Sequence, residues 1–467
     1  MNHDRLLRST YKLPWQLARV WAFSGTYLFV CLCAGAQDTR NVTEPVIPAV
    51  CQTLAAHLTS VHGGLAESDE SKPDTERIQN ALDDCQPGQA VELVSGGGKD
   101  AFLSGPLVIS RGVTLLVARG VTLFASRNPR DFDARPGACG TVDDKDGGCK
   151  PLISVASPNA AIMGDGAIDG RGGAKLLGQH ETWWNLADRA RNGGKQNCFR
   201  LIVADRADHF ILYRITLRNS PNFHVVVSRT DGFTAWGVKI DTPAEARNTD
   251  GIDPSGSKNV TITQSWIRDG DDNVAIKAGG AGPSANISIV HNHFYYGHGM
   301  SIGSETFAGD SHIEVNDLTL DGTTAGIRIK SDATRGGVVD AVTYHDICMR
   351  NVKDPIAIDP FYEHNSIRGE RIPVYRDISL SGVRAETPGK VTMDGMDAAH
   401  LSTIWLNGVE IDGLRPDDVE AQFGIFTLGP GPVGVMPRGT AVAIRKGSGA
   451  AAAIPDCKGR FAPFPAR

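Results

Sequence analysis

Residues 260–279, "VTITQSWIRDGDDNVAIKAG", and residues 287–305, "ISIVHNHFYYGHGMSIGSE", align as written. Each opens on alternating apolar and polar residues, turns through a Gly- and Asp-rich corner, and closes on a second short apolar run. Residues 313–332, "IEVNDLTLDGTTAGIRIKSD", repeat the pattern. Phe233, Val260, Ile287 and Ile313 thus begin four successive strands spaced 27, 27 and 26 residues apart. Alternation over five to nine residues bounded by Gly, Asn or Asp is strand chemistry. A fixed period carried by strands means a solenoid, because one coil cannot bury its own apolar face and must stack on the next.

Working outward, similar runs recur from about residue 90: "AVELV", "VTLLV", "HFILYRITL", "AVTYHDICM", "DISLSGV" and "NGVEIDGL". Long helical periodicity is nearly absent. The expected fold is all-β, a single-stranded right-handed parallel β-helix with rungs about 4.8 Å apart. Its open apolar end needs a cover. "PDTERIQNALDDC" (73–85) fits one, with Asp74 as N-cap and Ile78, Ala81, Leu82 and Cys85 at helical spacing. A β-sandwich is the alternative, but nothing in it demands the constant period.

The 467 residues, 41% of them hydrophobic, can form a large core, and 53 glycines signal many turns. The net charge of −6 excludes wholesale nucleic-acid binding and leaves a polyanionic ligand to a local basic cluster. Arg5, Arg8, Lys12 and Arg19 precede "VWAFSGTYLFVCLCAGA", the basic, apolar, small-residue order of a secretory signal peptide ending at Ala36. A membrane anchor is the alternative for this short run. Residues 37–467 then form one catalytic domain, exported and without stable membrane association, with residues from about 415 a loosely packed extension. Export makes disulfides the default for the seven cysteines left. Cys139 and Cys149 bracket a short loop, and Cys51 and Cys85 are the next pair; an odd count leaves a thiol, and the pairing stays open. No zinc-ligand spacing is present, and no metal or cofactor is expected.

In a stacked coil, equal offset from the strand start means vertical adjacency. Asp271 lies eleven residues after Val260, and His298 eleven after Ile287. Arg328 and Lys330 lie fifteen and seventeen after Ile313; Lys277 and Ser304 share the offset of seventeen with Lys330. Asp250 lies seventeen after Phe233, but "DTPAEARN" (241–248) is an insertion, and removing about six residues brings Asp250 beside Asp271 and Asp272. Six chemistry-bearing residues therefore converge on one side of four coils. Clustered carboxylates suit glycoside hydrolysis, one acid protonating the leaving oxygen while another activates water. Crowding keeps a proton available, because adjacent acids resist ionising together. Taken singly, each feature has a plain reading: an Asp pair solvated or capping a turn, an Asp-rich loop holding Ca²⁺, a structural His, a solvated Arg/Lys face. Convergence is what favours a site.

These residues resemble the polygalacturonases of glycoside hydrolase family 28, and the bacterial endo-acting members in particular. Four landmarks occur in the family's order: "NTD" (248–250), "GDD" (270–272), "GHGMSIGS" (297–304) and "RIK" (328–330). The likeness spans roughly residues 70–415. It implies Asp271 as general acid, Asp250 and Asp272 as the pair that holds and deprotonates water, and His298 as their support. It implies Asn248, Arg328, Lys330 and Tyr362 as substrate-binding residues, the basic pair gripping a galacturonate carboxylate. The implied activity is inverting hydrolysis of α-1,4 links in polygalacturonate by a secreted monomer, with acids about 6.5–9.5 Å apart and mildly acidic conditions favoured. His298 poses a sign problem, since its charged form would lower rather than raise the pKa of Asp271. Asn273 stands where fungal members often carry Cys. Exo-acting enzymes, rhamnogalacturonases, a Ca²⁺-dependent pectate lyase and a non-catalytic polysaccharide-binding β-helix are the competing readings.

Overall fold

A computed structural model of the protein describes residues 37–362 and 369–466. The expected signal peptide, residues 1–36, lies outside the described residues. Among those described, no helix is long and apolar enough to cross a membrane.

The chain winds as a right-handed parallel β-helix. One coil runs through Asp231–Trp236 and Lys239–Asp241, turns, continues through Ile252–Ser255, and re-enters one rung higher at Lys258–Thr263. Phe233 pairs with Val260, Val260 with Ile287, Ile287 with Ile313, and Ile313 with Val342, as the period predicts. The column continues through Ile378, Ile404 and Phe426. All eight side chains are 0–2% exposed. Each such burial contributes about 1.5–3 kcal/mol, so the stack is held along its whole length by one continuous apolar column.

The corner that bends each coil also repeats. Four residues after the column position stand Gly237, Gln264, His291, Asp317, Asp346, Gly382 and Gly408, all with φ between 48° and 71°. Left-handed backbone suits Gly and tolerates Asn or Asp, and the stack imposes it on Gln264 and His291 as well.

Ile78, Ala81 and Leu82 of the helix Thr75–Asp84 join the core, with Cys85 bonded to Cys51. Asp74 occupies the N-cap position, yet its carboxylate caps nothing; it accepts from the Arg77 guanidinium and from the Leu103 amide. Cys139 is bonded to Cys149, and Cys348 to Cys457, leaving Cys198 as the free, buried thiol among the described residues.

The residues beyond 415 correct an expectation. They are an anchored strap rather than a loose extension. Val442–Lys446 pairs with Gly424–Leu428. The chain then runs back across earlier coils: Asn407 bonds Ala450 and Ala452, Cys457 joins Cys348, and Arg460 pairs with Asp317 and Asp346. Tyr295 donates to the Ala462 carbonyl, and Arg268 lies over the Phe464 ring.

Candidate active site

The site lies along the corner that precedes the second ladder of strands. Asp241 pairs with Arg268 and Ile252 with Val274, so this corner is five residues longer in the earlier coil, and the insertion is accommodated there. Asp250 and Asp272 each stand two residues before the paired Ile252 and Val274, level with one another. The Gly251 amide donates to the Asp272 carbonyl at 2.9 Å.

The following coil departs from the offset count. Ile267 pairs with Phe294 and Val274 with Met300, so the corner holding His298 is one residue shorter. His298 therefore stands level with Asp272, and Gly303, not Ser304, stands beside Lys277 and Lys330. Asn273 pins the short corner, donating to the Tyr295 and Tyr296 carbonyls and accepting from the Gly299 amide. The His298 ring still reaches the carboxylate of Asp271, at 3.2 Å, and that of Asp272 at 4.0 Å. Gly270 is required by close approach: a Cβ there would fall 2.1 Å from the Ala246 carbonyl oxygen.

Asp272 is the most heavily engaged acid. Its oxygens accept from Ser301 at 2.7 Å, Arg328 at 3.0 Å and Lys330 at 2.6 Å. Burial works against its charge, but the two cations hold it well below the ordinary carboxylate range. Asp271 accepts from its neighbour's amide at 3.0 Å and from Asn248 at 3.3 Å. Burial and Asp272 push Asp271 up, yet the bond and charge of His298, with Lys330, leave it lowered. Asp250 is raised well above its ordinary value, first by burial and then by Asp271, Asp253 and Asp272, with Lys277 pulling the other way. Of the three candidate catalytic acids, Asp250 is the one held above the ordinary range, by burial first and by its crowded neighbours second.

Every candidate residue except Arg328 lines one cavity of about 740 Å³. Arg328, Lys330 and Tyr362 line an adjoining one of about 780 Å³ that continues past Lys353, Lys390 and Arg415. The Tyr362 ring packs under cations, 4.9 Å from Lys330 and 5.3 Å from Arg328. Asp271, Asp272 and His298 bring donor atoms within 4.8 Å of one another, the spacing of a metal site. Arg328 and Lys330 already neutralise Asp272, so the positive charge such a cluster needs is supplied by the chain.

Three supports escaped the sequence reading. His224 is fully buried and its pKa is pushed down to about 4 by burial, so the ring is neutral. Its Nδ1 lies 3.1 Å from the carbonyls of Thr249 and Asp250, and Nε2 lies 2.8 Å from the Thr242 hydroxyl. Nδ1–H therefore donates to the acid-bearing turn. Asp269 accepts from the Asp271 amide at 3.1 Å. Asp253 pairs with Lys277 beneath Asp250. Asp253 lies three residues beyond the "NTD" landmark, with the outward phase of a strand residue; only its burial distinguishes it.

The profile described as Glycosyl hydrolases family 28 matches residues 102–422. An endo-polygalacturonase of Pectobacterium parmentieri is 46% identical over 381 residues, covering 81% of this chain and 90% of the relative. A polygalacturonase of Ralstonia solanacearum is 41% identical over 511 residues, 93% of this chain and 96% of the relative. The solved polygalacturonase from Erwinia carotovora ssp. carotovora is 44% identical, with a TM-score of 0.76 over 82% of this chain and 100% of that one.

Proposed function

Because this chain belongs to glycosyl hydrolases family 28 and is a glycoside hydrolase, we propose that it cleaves α-1,4 links within polygalacturonate, endo-wise and with inversion. The observation that carries the proposal is the juxtaposition of three carboxylates with Arg328 and Lys330 in a cleft that runs on over further coils. A polymer with a carboxylate on every unit needs cations to hold it. Arg meets a carboxylate with two N–H groups, and Lys meets it as a point charge. An extended groove admits the middle of a chain, which supports endo action, as does the activity named for the Pectobacterium relative.

Asp271 is the general acid. Asp250 and Asp272 hold and deprotonate the attacking water on the opposite face of the sugar, His298 orients Asp271, and Asn248 and Tyr362 contact substrate. Substrate binding resolves the His298 sign problem. A galacturonate carboxylate arriving at Arg328 and Lys330 offsets the Lys330 charge that, with His298, lowers Asp271, so Asp271 rises toward its protonated form. Asp250, raised where Asp271 is lowered, passes its proton to Asp271 on substrate binding and becomes the base. The three acids titrate as one coupled unit.

Asp271→Asn is expected to keep the fold and lose most release of reducing ends from polygalacturonate; near-wild-type release would sink the reading. Early digests should give a ladder of oligomers, and NMR of the first product should show the inverted anomer. Retention, or only mono- and digalacturonate at early times, would overturn those two points. We propose further that residues 1–36 direct export and are removed, and that residues 37–467 act outside the cell as one monomeric domain. N-terminal sequencing and gel filtration of the exported protein test this.

A further inference from the structure

Beneath Asp250 lies an ion pair that the reading above does not use. Lys277 Nζ is 2.6 Å from Asp253 Oδ2 and 3.4 Å from Asp250 Oδ2. Its ammonium also lies 4.5 Å from the centre of the Phe223 ring. Asp253 is 1% and Asp250 3% exposed. Each of these carboxylates keeps one buried oxygen, Oδ1, with no hydrogen-bond partner among the described residues. One cation is therefore divided between two buried acids, and the closer of the two is not in the catalytic triad of carboxylates.

The fold explains the sharing. Asp253 is the second residue of Ile252–Ser255, three residues beyond Asp250, and Lys277 directly follows Val274–Ile276 in the next coil. The bridge between Ser255 and Lys277 sets the Lys277 side chain against the earlier rung.

We infer that Lys277 and Asp253 are positioning residues that set the protonation of Asp250, Lys277 by supplying its nearest positive charge and Asp253 by competing for that charge. This rests on Asp250 being the base. The surroundings are consistent on every side. Asp250 faces Asp271, Asp253, Asp272 and Asp269, with Lys277 as the opposing cation. Asp253 faces Lys277, Asp272 and Arg200, and burial raises it to about 6. Lys277 faces Asp253, Asp250 and Glu305, which keep the ammonium charged against the effect of burial.

The sign differs for the two partners. Removing Lys277 leaves Asp250 among anions, so it ionises only at higher pH. Neutralising Asp253 removes one anion and turns Lys277 wholly toward Asp250, which then ionises at lower pH. A merely structural pair would not separate in this way.

The test is the pH profile of kcat/KM on polygalacturonate for Lys277→Met and Asp253→Asn. The alkaline limb, which in the free enzyme reports the acid with the higher pKa, here Asp250, is expected to move up for Lys277→Met and down for Asp253→Asn, each by about 1–3 pH units, while Lys277→Arg restores the wild-type position. Limbs that move together, or stay in place while rates fall, overturn the inference. If Lys277→Met fails to fold, judged by its melt, Asp253→Asn alone decides: a downward shift supports the inference and no shift overturns it. Failure of the underlying reading looks different, namely a wild type that does not cleave polygalacturonate. In that case the carboxyl ¹³C titration of Asp250, assigned with Asp250→Asn, must still move in opposite directions in the two variants, or the inference falls.

Discussion

Replacing Cys457 by Ser removes the covalent anchor of the C-terminal strap while leaving the catalytic cleft untouched. The Cys348–Cys457 bond closes a loop of 109 residues. Loop-closure entropy assigns a bond of that span about 4.7 kcal/mol, and measured values for disulfides cluster near 2–4 kcal/mol. The strap is also held by Arg460 to Asp317 and Asp346, by Asn407, and by Tyr295 to the Ala462 carbonyl. It therefore stays docked in the native state, and the loss falls mainly on the unfolded chain. At about 2.1 cal/mol/K per residue over roughly 430 residues, the unfolding entropy is near 0.9 kcal/mol/K. A loss of about 2–4 kcal/mol then lowers Tm by roughly 2–4 °C. The assay is a thermal melt of the oxidised wild type and of Cys457→Ser, with initial rates on polygalacturonate at 25 °C as a control. Rates should match. An unchanged melting point would refute the idea that the strap clamps the stack, and a large loss of rate would refute its independence from the cleft.

Lys330→Met leaves Asp272 with Arg328 as its cation and removes half of the carboxylate grip proposed above; kcat/KM on de-esterified polymer should fall about 10–100-fold, the value of one charge-assisted hydrogen bond. A loss under twofold in the reducing-end assay would contradict that role. Asp394 is buried, and its pKa is raised to about 7, first by burial and then by Glu420 and Asp359. A raised folded pKa means the native state binds the extra proton, so this stabilisation is present below about pH 4 and is lost as pH rises through 7. Asp394→Asn should therefore unfold later than wild type in urea at pH 8, by about 1–3 kcal/mol, with the gap closing at pH 5. A gap independent of pH would exclude the mechanism. Asp272, held low by Arg328 and Lys330, works in the opposite sense, and its contribution is lost only as pH falls below the ordinary carboxylate range.

Much of this was legible in the residues themselves. The period of apolar alternation placed Phe233, Val260, Ile287 and Ile313 in one column, and backbone pairing follows that column without a slip. Four motifs in order identified the family, and their offsets brought the acids and cations to one side. These features are one-dimensional. A strand period and a motif are properties of consecutive residues, and parallel stacking converts offset directly into position.

The tertiary structure decided what depends on corner length and on distant returns of the chain. A corner one residue shorter moved His298 level with Asp272 and put Gly303 where Ser304 was expected. The strap, which folds the last residues back over coils built a hundred residues earlier, carries no period to betray it. Lys277 and Asp253 look like ordinary outward residues of strands, and only burial turns them into a shared charge beneath Asp250. Electrostatics is the common reason: which acid keeps a proton depends on distances of a few ångströms in a medium of low polarity, and no spacing along the chain encodes those.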